Sequence, residues 1–220
     1  MRPGRRRWLR PPLLLAALLS LAACKRDLSA QDVNVIGMVP ALELSMTDVT
    51  TNKPVTAADF AGHVTLLYFG YTNCPDVCPA TLYNVDKIFQ RLGPAGQSIK
   101  FLFVTVDPDR DTPAILAQYA ALFGPQIEGL RGTPDQLFSL ARRYRVVFSV
   151  TKPTATTPYE VTHSAAIYVF NAQGQAQFLI AGLDTPNPDI AGIAADLQDV
   201  INNHQGISPL EWLEDLISSD

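Results

Sequence analysis

The stretch VTLLYFGYTNCPDVCPATLYNV, Val64 to Val85, does most to limit what this 220-residue chain can fold into, because it sets two closely spaced cysteines at a strand-to-helix junction. Val64, Leu66, Leu67, Tyr68 and Phe69 form a nearly continuous apolar run, the pattern of a strand buried on both faces at the centre of an α/β sheet. Gly70 ends it. Pro79 suits a first helical position, and Leu82, Val85, Ile88, Phe89 and Leu92 then recur at helical spacing. The sulfurs are therefore expected on a loop at the C-terminal edge of a strand, where open α/β sheets bind their ligands.

Three residues separate Cys74 from Cys78, one more than in a C-x-x-C redox motif, and each cysteine precedes a proline that biases it away from the α region. Cys78, at about the helix N-cap, is expected to feel the positive end of the helix dipole and to favour thiolate over thiol. A thiolate is both a nucleophile and a soft metal ligand, so Cys74 and Cys78 are the candidate redox pair and the start of a candidate metal site. The competing reading is a pair of inert buried thiols, which would have no need of two flanking prolines at a strand end. Asp76, between the cysteines, is a candidate supporting residue.

The chain begins with Arg2, Arg5, Arg6, Arg7 and Arg10, followed by an apolar run from Leu13 to Ala23. That is the pattern of a secretory signal, too short for a dedicated membrane span. Its end, Leu21-Ala22-Ala23-Cys24, resembles a bacterial lipobox, which predicts cleavage before Cys24 and lipidation of its sulfur. An ordinary or uncleaved signal is the alternative. The expected organisation is a signal peptide over 1–23, a lipidated tether over 24–40, a domain over 41–205 and an acidic tail over 206–220, and the expected location is a bacterial cell membrane with the domain facing the periplasm or exterior. Lipidation of Cys24 would leave Cys74 and Cys78 as the remaining pair in a disulfide-permissive compartment. Removing residues 1–23 takes away five arginines and no acid, so the net charge of −4 becomes −9, which argues against nucleic acid as a partner.

Asp27 to about Pro40 has no period and reads as tether. Leu42 to Val55 reads as a hairpin around Thr50–Pro54. Met38 and Met46 flank its start and read as gap-fillers rather than ligands. Ile99–Val106 is a second buried strand, after which Asp107-Pro108-Asp109-Arg110-Asp111 leads to Thr112 as N-cap and Pro113 at the first position of a helix to about Phe123. Arg110 between Asp109 and Asp111 reads as a local ion pair, yet the loop leaves the same sheet edge as the cysteines if the strands are parallel. Ile127–Arg131 is a short strand, Thr133–Gln136 a capping box opening a helix to about Arg143, and Arg145–Thr151 strand-like. Lys152–Val161 reads as a loop. Ala165–Phe170 and Gln177–Ala181 make a hairpin, and Asp189–Ile201 an amphipathic helix. The order predicts an α/β fold, a central mixed sheet with helices on both faces. Neither a glycine-rich phosphate loop nor a GxSxG motif is present, so the chemistry rests on sulfur.

His63 and His204 stand in turn or tail contexts, whereas His163 stands at the entry to a core strand after a long loop. Two thiolates and one imidazole form a soft, low-coordinate set that suits copper, Cu(I) above all with Cu(II) also admitted, while zinc normally wants a fourth ligand. YFGYTNCPDVCPATL, VTVDPDRDTP and VTHSAAIYVF, occurring in this order, resemble the three signature blocks of the Sco/SenC family. The likeness runs from about Leu42 to Leu197. It implies a thioredoxin-like, membrane-anchored protein serving assembly of the dinuclear copper site of cytochrome c oxidase, with Cys74, Cys78 and His163 as the copper ligands. Asp107 and Arg110 fall in the family's aspartate-proline loop. The family often has an acid immediately before the histidine, where this chain has Thr162, and that puts the orientation of the imidazole at issue.

Two activities follow from the resemblance. The first is a copper metallochaperone, a carrier whose partner is the copper-bearing oxidase subunit. The second is a thiol-disulfide reductase that keeps target cysteines reduced and so implies an exported thiol reductant. A peroxidase fits less well, because Cys74 lacks the upstream proline and threonine that cradle peroxide in peroxiredoxins; a redox or copper sensor is the remaining reading.

Overall fold

The computed structural model describes residues 28–205. Ten strands and four helices run in the order β1 (Asp32–Asn34), β2 (Ser45–Asp48), β3 (Lys53–Thr56), β4 (Thr65–Gly70), α1 (Val77–Leu92), β5 (Lys100–Thr105), α2 (Pro113–Ala121), β6 (Ile127–Arg131), α3 (Pro134–Arg143), β7 (Phe148–Thr151), β8 (Glu160–His163), β9 (Ile167–Phe170), β10 (Ala176–Ile180) and α4 (Ile190–Gln205) among these residues. Eight of the strands form one sheet in the order β1-β10-β9-β4-β5-β6-β2-β3, in which β4, β5 and β6 are parallel and the other pairings antiparallel. The mixed sheet is the one expected.

Strand β4 is central because its side chains are apolar on both faces, and Leu66, Leu67, Tyr68 and Phe69 are all at most 1% exposed. Tyr68 faces α1, where its hydroxyl meets Cys78. Leu67 stands opposite Tyr168 across the β4–β9 register, so the two share the other face, and the Tyr168 hydroxyl donates to the carbonyl of Tyr144 at the end of α3. Helices α1 and α3 therefore cover opposite faces. Phe103, in register with Tyr68, packs on Tyr119 of α2, and α4 packs on α1, so α2 and α4 join α1's face.

The caps on α2 and α3 form as their sequences dictate. Thr112 accepts from the Ile115 amide ahead of Pro113, and Thr133 and Gln136 make a reciprocal capping box. Three segments depart from expectation. Asp32–Asn34, assigned to the tether, pairs with β10 as an edge strand, with Val35 buried behind it. Arg145–Thr151 is shorter, and β7 pairs with β8 in a separate two-stranded sheet, so the end of the expected loop Lys152–Val161 is strand. Helix α1 opens at Val77, which puts Cys78 and Pro79 inside its first turn instead of at the cap. Proline is tolerated there because first-turn amides have no intrahelical partner. Met46 is buried against Gly132 and Met38 is exposed, neither in the sulfur site. Cys24 and the acidic tail lie outside the described residues.

Candidate metal centre

The strand topology brings three distant segments to one sheet edge. The cysteine loop leaves the C-terminal end of β4, and the aspartate loop leaves the C-terminal end of the parallel neighbour β5. Strand β9 runs antiparallel to β4 with Tyr168 opposite Leu67, so the residues just before β9, His163 among them, arrive at that same edge. A donor atom from each of Cys74, Cys78 and His163 lies within 4.8 Å of the other two.

Both thiols are free. Cys78 is fully buried, with the Tyr68 hydroxyl 3.7 Å and His163 Nε2 3.4 Å from its sulfur. Gly70 makes this possible: a Cβ at that position would stand 2.9 Å from Cys78 Sγ and 2.8 Å from the Phe103 ring, so the sulfur occupies space that only glycine leaves. Cys74, 9% exposed, is at the rim, and its Sγ accepts from the Cys78 amide at 3.3 Å.

The acidities of the two sulfurs diverge. The bond from the Cys78 side chain, aided by His163 and by the Cys78 and Asp76 amides, holds the Cys74 thiol well below its ordinary value against the opposing effect of burial. Donation to Cys74, followed by burial, pushes Cys78 upward. This corrects the expectation from the helix dipole. The N-terminus of α1 does favour a thiolate, but the sulfur that its amide meets is that of Cys74.

His163 Nδ1 lies 3.0 Å from the carbonyl oxygen of Ser164. A carbonyl only accepts, so Nδ1 carries a proton, and Nε2 is the ring nitrogen turned toward the sulfurs. The rings of Tyr68 and Tyr71 meet the imidazole edge to face, with centroids 6.0 and 5.6 Å away. Thr162 takes no part: it is exposed on the other side of β8, and its hydroxyl bonds to Ser149 at 2.8 Å. The orienting role sought at Thr162 belongs to the backbone of Ser164. Asp76 is exposed at the N-cap of α1 without a side-chain cap bond.

Asp107 and Arg110 pair with each other at 2.5 Å, not Arg110 with its flanking acids, and Asp109 pairs instead with Lys152. Asp111, which the sequence presents only as an acid flanking Arg110, is fully buried and accepts from the Thr105 hydroxyl, the Thr72 amide and the Thr72 hydroxyl. It ties the cysteine loop to the end of β5. Tyr159, in the Thr- and Pro-rich segment between β7 and β8, donates its hydroxyl to Asp107 at 2.6 Å. Its one signal in the sequence is its spacing, four residues before His163.

Two donors about 2.3 Å from one ion at a trigonal angle stand about 4 Å apart, so a set already within 4.8 Å needs only a small closure to hold a metal. Among the described residues no fourth His, Cys, Asp or Glu joins the group, which suits a soft, low-coordinate ion better than tetrahedral zinc.

Fold and site together define a thioredoxin-like α/β protein with two thiols and an imidazole gathered at the C-terminal edge of its parallel strands. A family model described as SCO1/SenC matches residues 45–201, and the chain belongs to that family. It is 41% identical over 119 residues to the mitochondrial SCO2 homolog of Bos taurus, covering 53% of this chain and 45% of that protein. It is 35% identical over 150 residues to the mitochondrial SCO1 homolog of Mus musculus, covering 66% of this chain and 52% of that protein. The chain thus spans about half the length of these curated relatives. Among solved structures it resembles Bradyrhizobium japonicum ScoI with copper bound, at 33% identity and a TM-score of 0.63 over 73% of this chain and 98% of that one. Yeast Sco1 with copper bound is similar at 29% identity and a TM-score of 0.65, over 79% and 93% of the two chains.

The mitochondrial relatives overturn the expected bacterial cell membrane and periplasm. An arginine-rich, acid-free start is shared by secretory signals and mitochondrial transit segments, and a four-residue match ending in Cys24 is too short to decide the address.

Proposed function

We propose that this chain carries copper, Cu(I) in its reduced state, on Cys74, Cys78 and His163, and that it delivers the metal to the dinuclear copper site in the copper-bearing subunit of cytochrome c oxidase. The observation that carries the reading is the converging donor set: two sulfurs and an imidazole nitrogen within 4.8 Å, with Nε2 turned to the sulfurs as Nδ1 meets the Ser164 carbonyl. The copper-bound relatives support it. Cys78 is sealed beneath Tyr68 and Gly70, so an acceptor's ligands approach over the rim formed by Cys74 and His163, and transfer proceeds by ligand exchange from that side. Anaerobic titration of the reduced protein with Cu(I), followed by X-ray absorption, tests it. The expected result is one ion per chain with two sulfur scatterers and one nitrogen; an ion bound by sulfur alone contradicts it.

The unequal thiols favour a second reading, thiol-disulfide reduction. The Cys74 thiolate would attack a target disulfide, forming a mixed disulfide and releasing one target thiolate. Cys78, losing its proton, would then attack the Cys74 sulfur, release the second target thiolate and close the Cys74–Cys78 disulfide. Two electrons pass to the target, and a thiol reductant must restore the pair. This reading needs both cysteines but not His163.

A further inference from the structure

The residue that supplies the third donor stands on a hairpin outside the main sheet. Strands β7 and β8 pair only with each other, apart from the eight-stranded sheet. Alternation along β8 puts Val161 and His163 on one side, toward the cysteines, with Tyr159 one period earlier in the chain. Each of these three meets a different part of the site. His163 reaches Cys78, the Val161 carbonyl accepts from the Tyr71 hydroxyl at 3.4 Å, and the Tyr159 hydroxyl donates to Asp107 Oδ1 at 2.6 Å.

The Tyr159 contact is the strongest of the ties between this hairpin and the aspartate loop. The Lys152–Asp109 pair is exposed at both ends, 74% and 63%, and such pairs contribute little. Asp107 is by contrast 1% exposed. Its Oδ2 is taken by Arg110 Nε, and the Arg110 guanidinium lies 3.8 Å above the Tyr159 ring. Tyr159 is thereby held twice, through its hydroxyl by a buried carboxylate and through its ring by the cation paired with that carboxylate. Asp107 directly follows Val106, whose amide donates to the Gly70 carbonyl at 2.8 Å, so it belongs to the same rigid floor as the strand end beneath Cys78.

We propose that Tyr159 is a positioning residue, which fixes the β7–β8 hairpin to the floor of the site through Asp107 and so holds His163 against the two sulfurs. The inference rests on the copper-carrying reading for its consequence, not for its geometry. Tyr159→Phe deletes the hydroxyl and keeps the ring under Arg110, and because Tyr159 is half-buried at the surface the core is untouched.

The first readout is metal-free. In the reduced apo protein, NMR contacts between the His163 imidazole and the Tyr68 and Tyr71 rings are expected in the wild type and lost or much weakened in Tyr159→Phe, while Tyr68–Phe103 contacts persist. The second is Cu(I) retention against a competing chelator in a double-mutant cycle. Tyr159→Phe alone should lose copper about tenfold more readily, the scale of one hydrogen bond to a charged group, and should add nothing once His163 is alanine. Retained imidazole contacts in Tyr159→Phe overturn the inference whatever happens to copper. An equal effect of Tyr159→Phe with and without His163 also overturns it, because the hydroxyl would then act on the cysteines. Lost contacts with unchanged copper retention sustain the positioning role and count instead against His163 as a ligand.

Discussion

Two sulfurs four residues apart are pushed in opposite directions of acidity, because Cys74 receives hydrogen bonds from Cys78 and from the first turn of α1 while Cys78 gives one away inside the core. Cys74 is therefore expected to react with iodoacetamide well before Cys78. Its thiolate should persist below the ordinary thiol pKa of about 8.5, so its alkylation rate should hardly fall between pH 8 and pH 6, where an ordinary thiol slows by roughly a hundredfold. Peptide mapping after limited alkylation checks this, and preferential labelling of Cys78 would contradict it. A second prediction concerns Gly70. A methyl group there overlaps both Cys78 Sγ and the Phe103 ring, so Gly70→Ala should destabilise the protein by about 1–3 kcal/mol and impair copper binding together, as thermal melting and metal retention would show. Cysteine and histidine identity was legible in the sequence because those side chains carry the chemistry themselves. The orienting acceptor was not, since the Ser164 carbonyl belongs to the backbone and any residue could supply it.

Among the elements, those legible in the sequence were the ones whose signals are local. Thr112 and Thr133 stand ahead of a proline at the start of α2 and α3, and the apolar run of β4 is contiguous. The elements that were missed depend on pairing at a distance: β1 is three residues long and exists through β10, and β8 exists through β7 across a Thr- and Pro-rich loop. Asp111 shows the same limit. In sequence it is one acid among three, and in the fold it is the buried acceptor that joins the loop after β4 to the end of β5. Asp111→Ala would leave the Thr72 and Thr105 hydroxyls without it and should lower stability by about 2–3 kcal/mol. The expected signature is a lower urea midpoint at unchanged slope; an unshifted midpoint would mean that the two loops are held together by other contacts.

For the molecule as a whole, the mixed sheet with helices on both faces followed from the order of buried strands and amphipathic helices. The strand order did not, because nothing local says that β9 lies beside β4, and it is that placement which brings His163 to the cysteine edge. Location was not legible for a different reason, since an arginine-rich start serves more than one address. What remains central is whether the three donors act as one metal site or whether the two thiols act alone. Measuring the copper retained by the reduced wild type and by His163→Ala, side by side against a Cu(I) chelator, tests that most directly. The account predicts one ion held by the wild type and retention weakened at least about a hundredfold in the variant, since even residues that merely orient a ligand contribute 10–100-fold. Wild-type retention by His163→Ala would contradict it.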